Sequence, residues 1–217
     1  QLIRGLLLFC ANILFFYSIS VISLSKALTL AFIAPLIVTA LSSVLLGEKV
    51  GFKRWAAVII GFIGSLIVIR PGFVEINLAS FSAIGTGILY AFYLIVTRKL
   101  HNSDNPLLTL LLTGAVGAVI GTLIMPTVWI QPSITEWYIM FAIGLFASIG
   151  HLLLILSLRY ADASKLAPFG YFEIVTNIII GYFFFNNFPD HWHFFGLFII
   201  VGSGIYIFRR EMIKRSI

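Results

Sequence analysis

Apolar positions in this chain neither alternate nor recur as a narrow helical stripe; they run on without interruption and stop at short polar joints. Eight such runs predict helices over roughly Gly5–Ser23, Ala27–Leu46, Trp55–Ile69, Leu78–Val96, Leu107–Met125, Trp137–Leu158, Leu166–Phe185 and Trp192–Phe208. Most are close to the roughly 20 residues that cross a hydrocarbon core. A segment in lipid must satisfy its own backbone hydrogen bonds, which leaves helices or a closed barrel. Barrel strands alternate apolar and polar positions, and these runs do not. The expectation is an all-α integral membrane protein with eight transmembrane helices.

Composition agrees with a lipid solvent. Mean hydropathy is +1.08, and 60% of the 217 residues are hydrophobic against 10% charged, where soluble domains carry about 25% charge. Trp55, Trp137 and Trp192 open predicted spans and Trp129 lies just beyond one, where amphipathic rings favour the membrane interface. The single Cys10 excludes an internal disulfide and reads as a small hydrophobe. The segment from Gln1 to Ser23 has no basic n-region or cleavage site and does not read as a signal peptide.

The net charge of +6 raises the question of nucleic acid, and its distribution answers it. Numbering the joints alternately puts Arg4, Lys49, Lys53, Arg54, Arg98, Lys99, Arg159, Lys165, Arg209, Arg210, Lys214 and Arg215 on one side. The other side receives only Lys26 and Arg70. That bias is the positive-inside pattern, so both ends of the segment are expected in the cytoplasm. The basic balance reports orientation and contact with anionic lipid, and gives no reason to expect nucleic acid.

An internal repeat is visible in the polar joints. Ile22-Ser-Leu-Ser-Lys26-Ala precedes the second span and Ala161-Asp-Ala-Ser-Lys165-Leu precedes the seventh. Each leads through a Pro-containing span (Pro35; Pro168) to a polar joint, Gly47-Glu-Lys49 or Asn186-Asn-Phe-Pro-Asp190. Another span with close glycines follows, Gly61 and Gly64 or Gly202 and Gly204. The copies lie five spans apart, an odd number, so they cross in opposite directions. Inverted repeats around a midplane site are an architecture of secondary transporters. Residues 1–70 would then be the last three helices of a first repeat and residues 71–217 a complete second one. Counting leaves two spans expected upstream of Gln1, in keeping with the missing Met. Two hairpins that merely converged on similar end signals are the alternative.

The run Ala161-Asp-Ala-Ser-Lys-Leu-Ala-Pro-Phe-Gly-Tyr171 resembles the EamA-type half of the drug/metabolite transporter superfamily. So do Phe183-Phe-Phe-Asn-Asn-Phe-Pro-Asp190 and the stretch from Gly196 through Gly202-Ser-Gly-Ile-Tyr206 to Arg209-Arg-Glu211. In the first half, Ala34-Pro35 and Leu45-Leu-Gly-Glu-Lys49 are similar to the same family's pattern. The resemblance covers essentially the whole chain and implies ten helices in two inverted five-helix repeats that move small metabolites, amino acids, nucleosides or drugs. The second-half signature, with Gly150-His151, resembles a bacterial branch of S-adenosylmethionine uptake proteins. One departure is that Asn186-Asn187 stands where the family often has an acid, while Glu48 keeps an acid in the first joint.

Polar residues at membrane depth are costly and usually face a bundle interior or wet cavity. Glu173 alone among the acids sits well inside a span, sharing a face with Gly170, Asn177 and Gly181. It reads as a substrate or proton site, or else as a structural acid bonded to Lys165 or a carbonyl. His151 shares a face with Gly144 and Ser148, and a packed hydrogen bonder is the competing reading. His191 and His193 read as solvated end residues, and none of the four histidines has metal-ligand spacing. Ser82, Thr86, Tyr90, Tyr93 and Thr97 form a stripe that lines a wet cavity or bonds back to its own helix. Thr39, Ser42 and Ser43 are weaker candidates of the same kind. Gly117 and Gly121 predict close helix packing.

The expected function is a secondary transporter of a small polar or zwitterionic metabolite, working by alternating access in the bacterial inner membrane. Its predicted substrate-binding residues are Glu173, His151, Tyr171, Asn177, Tyr90 and Tyr93, with Pro35 and Pro168 letting their helices flex. No catalytic residue, cofactor or metal is implied. The partners are the substrate and the lipid bilayer, with a homodimer left open. Two rivals remain: a non-transporting membrane subunit or scaffold, and an intramembrane enzyme built on Ser148 and His151, which lack an orienting acid nearby in sequence.

Overall fold

The computed structural model describes residues 1–22, 24–70, 77–185 and 190–215. Among them there are helices and no strands. The long helices are α1 (Leu2–Val21), α4 (Phe52–Ile69), α5 (Leu78–Lys99), α6 (Pro106–Ile124), α7 (Ile134–Tyr160) and α10 (His191–Arg215). Between them lie α2 (Leu24–Ala31), α3 (Ala34–Leu45), α8 (Ala163–Leu166), a 3-10 turn (Ala167–Tyr171) and α9 (Phe172–Phe185). Six described segments are long and apolar enough to cross a membrane, with α2 and α3 counted together as Lys26–Leu45. The apolar part of α10, His191–Tyr206, is shorter.

The second and seventh predicted spans are each broken where a proline enters. Pro35 has no N–H to offer the carbonyl four residues back, that of Ala31, and α2 ends on that residue. Gly87 on α5 lies beneath the freed carbonyl, since a Cβ there would stand 2.6 Å from the Ala31 oxygen. In the seventh span Pro168 falls in the 3-10 turn between α8 and α9. A short helix, a break and a longer helix therefore occur twice.

Joint contacts sort the bundle ends. Gln1 donates to Asp104 at 2.6 Å, and Glu48 accepts from the Ala163 amide at 2.8 Å, so these joints share one end. Arg70 reaches Asp190 at 2.6 Å at the other. Inside, α1 packs along α5 and α6, and α4 along α10. The α4–α10 crossing is tight because two glycines meet: a Cβ on Gly196 would lie 2.8 Å from the Gly64 carbonyl oxygen. Phe32, Val38, Val58, Ile95, Tyr171 and Ile200 form the buried centre.

The expectation of close packing at Gly117 and Gly121 is not met. A Cβ on Gly117 would reach only the Phe9 ring, at 3.7 Å, and one on Gly121 nothing within 4 Å. Helix α7 starts at a capping box, Ser133 with Glu136, three residues before the expected Trp137. Most of α7 stays uncovered, with Phe141 and Phe146 exposed.

Candidate functional site

A cavity of about 620 Å³ opens beside the first helix break. Its wall is Asn12 and Phe15 of α1, Phe32 and Pro35 at the break, Thr86, Tyr90 and Leu94 of α5, Leu154 of α7, and Phe169, Gly170 and Glu173 of the seventh span. The proline break creates this surface, because a continuous helix would present side chains where the turn now gives way. Glu173 lies ten residues beyond the start of α8, about 15 Å along the axis, which is half of a roughly 30 Å hydrocarbon core. Among the described residues its carboxylate has no hydrogen bond. Lys165, the partner considered for it, instead meets Asp162 at 2.9 Å.

A second cavity, about 650 Å³, adjoins the first through Asn12, which lines both. It is bounded by Gly5, Leu8 and Phe9 of α1, Thr113 and Gly117 of α6, and Ser148 and His151 of α7. Between the cavities lies an aromatic partition. The Tyr90 and Tyr93 rings stack at 5.7 Å, the Tyr93 and His151 rings meet edge-on at 5.8 Å, and the Tyr93 hydroxyl and His151 Nδ1 are 3.3 Å apart. Tyr90 and Glu173 thus line one hollow and His151 its neighbour, with Tyr93 buried between Tyr90 and His151.

One predicted site residue falls elsewhere. Tyr171 is fully buried behind the first cavity, against Gly61 and between Phe32 and Phe62. Its hydroxyl donates to the Phe32 carbonyl at 3.5 Å, bracing the break in the second span. The Asn177 side chain lies outside the described residues, as do Asn186 and Asn187. The hydroxyl stripe divides. Thr86 and Tyr90 line the cavity, but the hydroxyls of Ser82, Thr86 and Thr97 all donate back to carbonyls of their own helix, those of Leu78, Ser82 and Tyr93. Thr39, Ser42 and Ser43 likewise donate to carbonyls of their own helix. Ser148 does the same with Gly144, at 2.7 Å, so its hydroxyl proton is not directed at His151.

Sequence reasoning missed two groups. The first is Arg4, taken there only as an orienting charge; it is fully buried and its guanidinium lies 5.8 Å from the Tyr93 ring centre. The second joins the joints at the basic end. Glu48 accepts from the amides of Ala163 and Ser164 at 2.8 and 2.9 Å and from the Ser164 hydroxyl at 2.6 Å. Arg98 reaches Glu48 at 3.7 Å and Asp162 at 3.3 Å, and Arg54 reaches Asp162 at 3.6 Å. Burial pushes the Asp162 carboxyl up, but its bond to Lys165 and the charges of Lys165, Arg54 and Arg98 outweigh that and hold it below its ordinary value. The survival of Glu48 in a Gly-Glu-Lys joint was the available signal for this network.

Among the described residues no group of His, Cys, Asp and Glu is arranged to hold a metal. Cavities lined by aromatic rings, one acid and one histidine, enclosed by lipid-spanning helices, suit passage of a solute better than bond chemistry. Comparison with known proteins points the same way. The chain is 29% identical over 211 residues to a protein named S-adenosylmethionine uptake transporter from Rickettsia bellii, spanning 97% of this chain and 72% of that one. It is 28% identical over 190 residues to a riboflavin transporter of Vibrio cholerae, covering 87% of this chain and 64% of the other. A solved crystal structure shares the fold with a TM-score of 0.81 at 17% identity, over 93% of this chain and 75% of its own. The EamA-like transporter family profile matches residues 1–70 and 77–209. The chain therefore belongs to the EamA-like transporter family, and it is a multi-pass membrane transporter rather than an enzyme.

Proposed function

We propose that the protein moves a small polar or zwitterionic metabolite across a bacterial inner membrane by alternating access, and that S-adenosylmethionine is the first solute to test. The observation that carries this reading is the Glu173 carboxylate, which faces a 620 Å³ cavity near mid-depth with no hydrogen-bond partner among the described residues. A cationic group on the solute, or a coupling proton, gives it one. Tyr90 presents ring surface for a planar moiety, Tyr93 backs that ring by stacking on it, and His151 offers a hydrogen-bonding nitrogen from the neighbouring hollow. Asn177 and Tyr171 complete the proposed set, the latter by holding the helix break that shapes the cavity.

The reading includes an inverted five-plus-five bundle, to which residues 1–70 contribute three helices and residues 71–217 five. The matched stretches of the family profile divide within 71–76, at that boundary. The repeated short helix, break and longer helix at Pro35 and Pro168 fits the same division. Half-helices meeting at mid-depth are a common way for transporters to expose polar backbone to solute.

The test is uptake of labelled S-adenosylmethionine and of riboflavin into proteoliposomes holding the full-length protein. Glu173→Gln is expected to abolish uptake and flatten its pH dependence while Tm stays near wild type. Normal affinity in a less stable Glu173→Gln protein would defeat the assignment.

A further inference from the structure

Asn12 is a polar side chain in the middle of an apolar helix. From Leu6 to Phe16 its neighbours on α1 are only Leu, Phe, Cys, Ala and Ile. It lies ten residues beyond Leu2, about 15 Å along the axis, which is the depth of Glu173 measured from the same end of the bundle. His151, nine residues short of the end of α7, stands at about 14 Å. A polar group facing hydrocarbon at that depth is costly unless something bonds it. The Asn12 side chain is exposed, and it makes no hydrogen bond among the described residues.

What it meets instead are the two hollows. Asn12 lines the 620 Å³ cavity together with Glu173 and the 650 Å³ cavity together with His151. The hydroxyls in those walls are committed elsewhere. Thr86 and Ser157 in the first, and Thr113 and Ser148 in the second, each donate to a carbonyl of their own helix. The Asn12 amide keeps its acceptor oxygen and both N–H donors for a ligand. Helix α5 fixes where that amide stands, because the Thr86 hydroxyl lies 3.3 Å from the carbonyl oxygen of Ala11, the residue before it. Tyr90 follows Thr86 by one turn, about 6 Å along α5, and lines the same cavity.

We infer that Asn12 contacts the solute and sets specificity, by taking the hydrogen-bonding edge of a planar nitrogen heterocycle whose face lies on Tyr90. The inference rests on the transport reading above and assigns a part of the solute that Glu173 and Tyr90 leave unread. A flat ring stacks through its face and bonds through its edge, so the two contacts come from different directions. Here they come from different helices, the face from α5 and the edge from α1. An amide holds a donor and an acceptor side by side in one plane, which matches an amino group next to a ring nitrogen; the same pairing lets Asn read adenine in nucleic acids. Glu173 takes the cationic group in the same cavity, and the place of Asn12 in both walls lets the rest of the solute pass toward His151.

The experiment compares S-adenosylmethionine with its 6-deamino analogue, in which hydrogen replaces the exocyclic amine, in proteoliposomes of the full-length protein. Wild type is expected to favour the aminated compound in kcat/KM by about tenfold, the worth of one hydrogen bond with its partner otherwise unmatched. Asn12→Ala should erase that preference by losing the aminated compound alone, and Asn12→Gln, which keeps the amide on a longer arm, should keep part of it. Because both compounds are read in the same preparation, a partial folding defect cancels from the ratio. A wild type without preference, or an Asn12→Ala protein that keeps the preference or loses both compounds equally, overturns the assignment. If neither compound enters wild type, the S-adenosylmethionine reading fails by itself. The Asn12 assignment is then decided by melting the purified proteins with adenine against purine and with uracil against pyrimidine. A greater rise in Tm with either edge-bearing base, shown by wild type and lacking in Asn12→Ala, upholds it, and no such difference overturns it.

Discussion

Glu48 ties two parts of the chain that lie 115 and 116 residues apart, and its removal should cost more than any single surface contact. Its carboxylate, 7% exposed, accepts two amide protons at the start of α8 and the Ser164 hydroxyl, and it faces Arg98 at 3.7 Å. Each hydrogen bond to a charged group contributes about 1.5–3 kcal/mol, but these share one carboxylate and do not add. Removing one member of a buried charged network typically costs about 3–5 kcal/mol, because the partners stay buried and unmatched. Glu48→Ala leaves the Ala163 and Ser164 amides without their acceptor and takes one counter-charge from Arg98. For a domain of this size, about 1 kcal/mol corresponds to about 2–4 °C, so Tm should fall by about 6–20 °C. Glu48→Gln keeps one acceptor oxygen and should lose about half as much. Intrinsic tryptophan fluorescence during heating of detergent-solubilised protein measures both variants. A double variant with Ser164→Ala should be less than additive, since that hydroxyl donates to Glu48 and accepts from Arg54. A Glu48→Ala protein melting within about 2 °C of wild type would show that the cluster is a surface ornament and the reasoning wrong.

Asp162 adds a pH dependence to the same cluster. Its carboxyl is held below the ordinary value, so its contribution is complete above the unfolded pKa of about 3.9 and is lost as pH falls through the lower folded value. Melting curves should be flat in this respect at neutral pH and drop below about pH 4, and Asp162→Asn should remove that part of the drop. Gly196→Ala should lower Tm, by about 1–3 kcal/mol in stability, because its Cβ would meet Val68 at 2.4 Å and the Gly64 carbonyl at 2.8 Å; an unchanged melt would mean that α4 and α10 do not cross there. Single cysteines placed in a Cys10→Ala background should label from outside at Gln131 and not at Lys53 or Lys99; the reverse pattern would invert the topology and the repeat with it.

The chain's solvent was legible without any structure, because hydropathy is a local sum and a bilayer imposes one length on every span. The two proline breaks were also legible, since a missing N–H acts on its own helix. Partners distant in sequence were not. Arg4 reads as one more positive charge at a helix start, and only the packing of α1 against α5 and α6 turns it inward onto Tyr93 and Thr113. Tyr171 shares the polar neighbourhood of Glu173 in sequence, yet the 3-10 turn after Pro168 rotates it into the core beneath Gly61. Glu48 looks like a joint residue until α8 arrives beside it. Burial of a charge and the direction of a side chain depend on which helices meet, and that is settled by packing across the bundle, not by the order of residues within any one span.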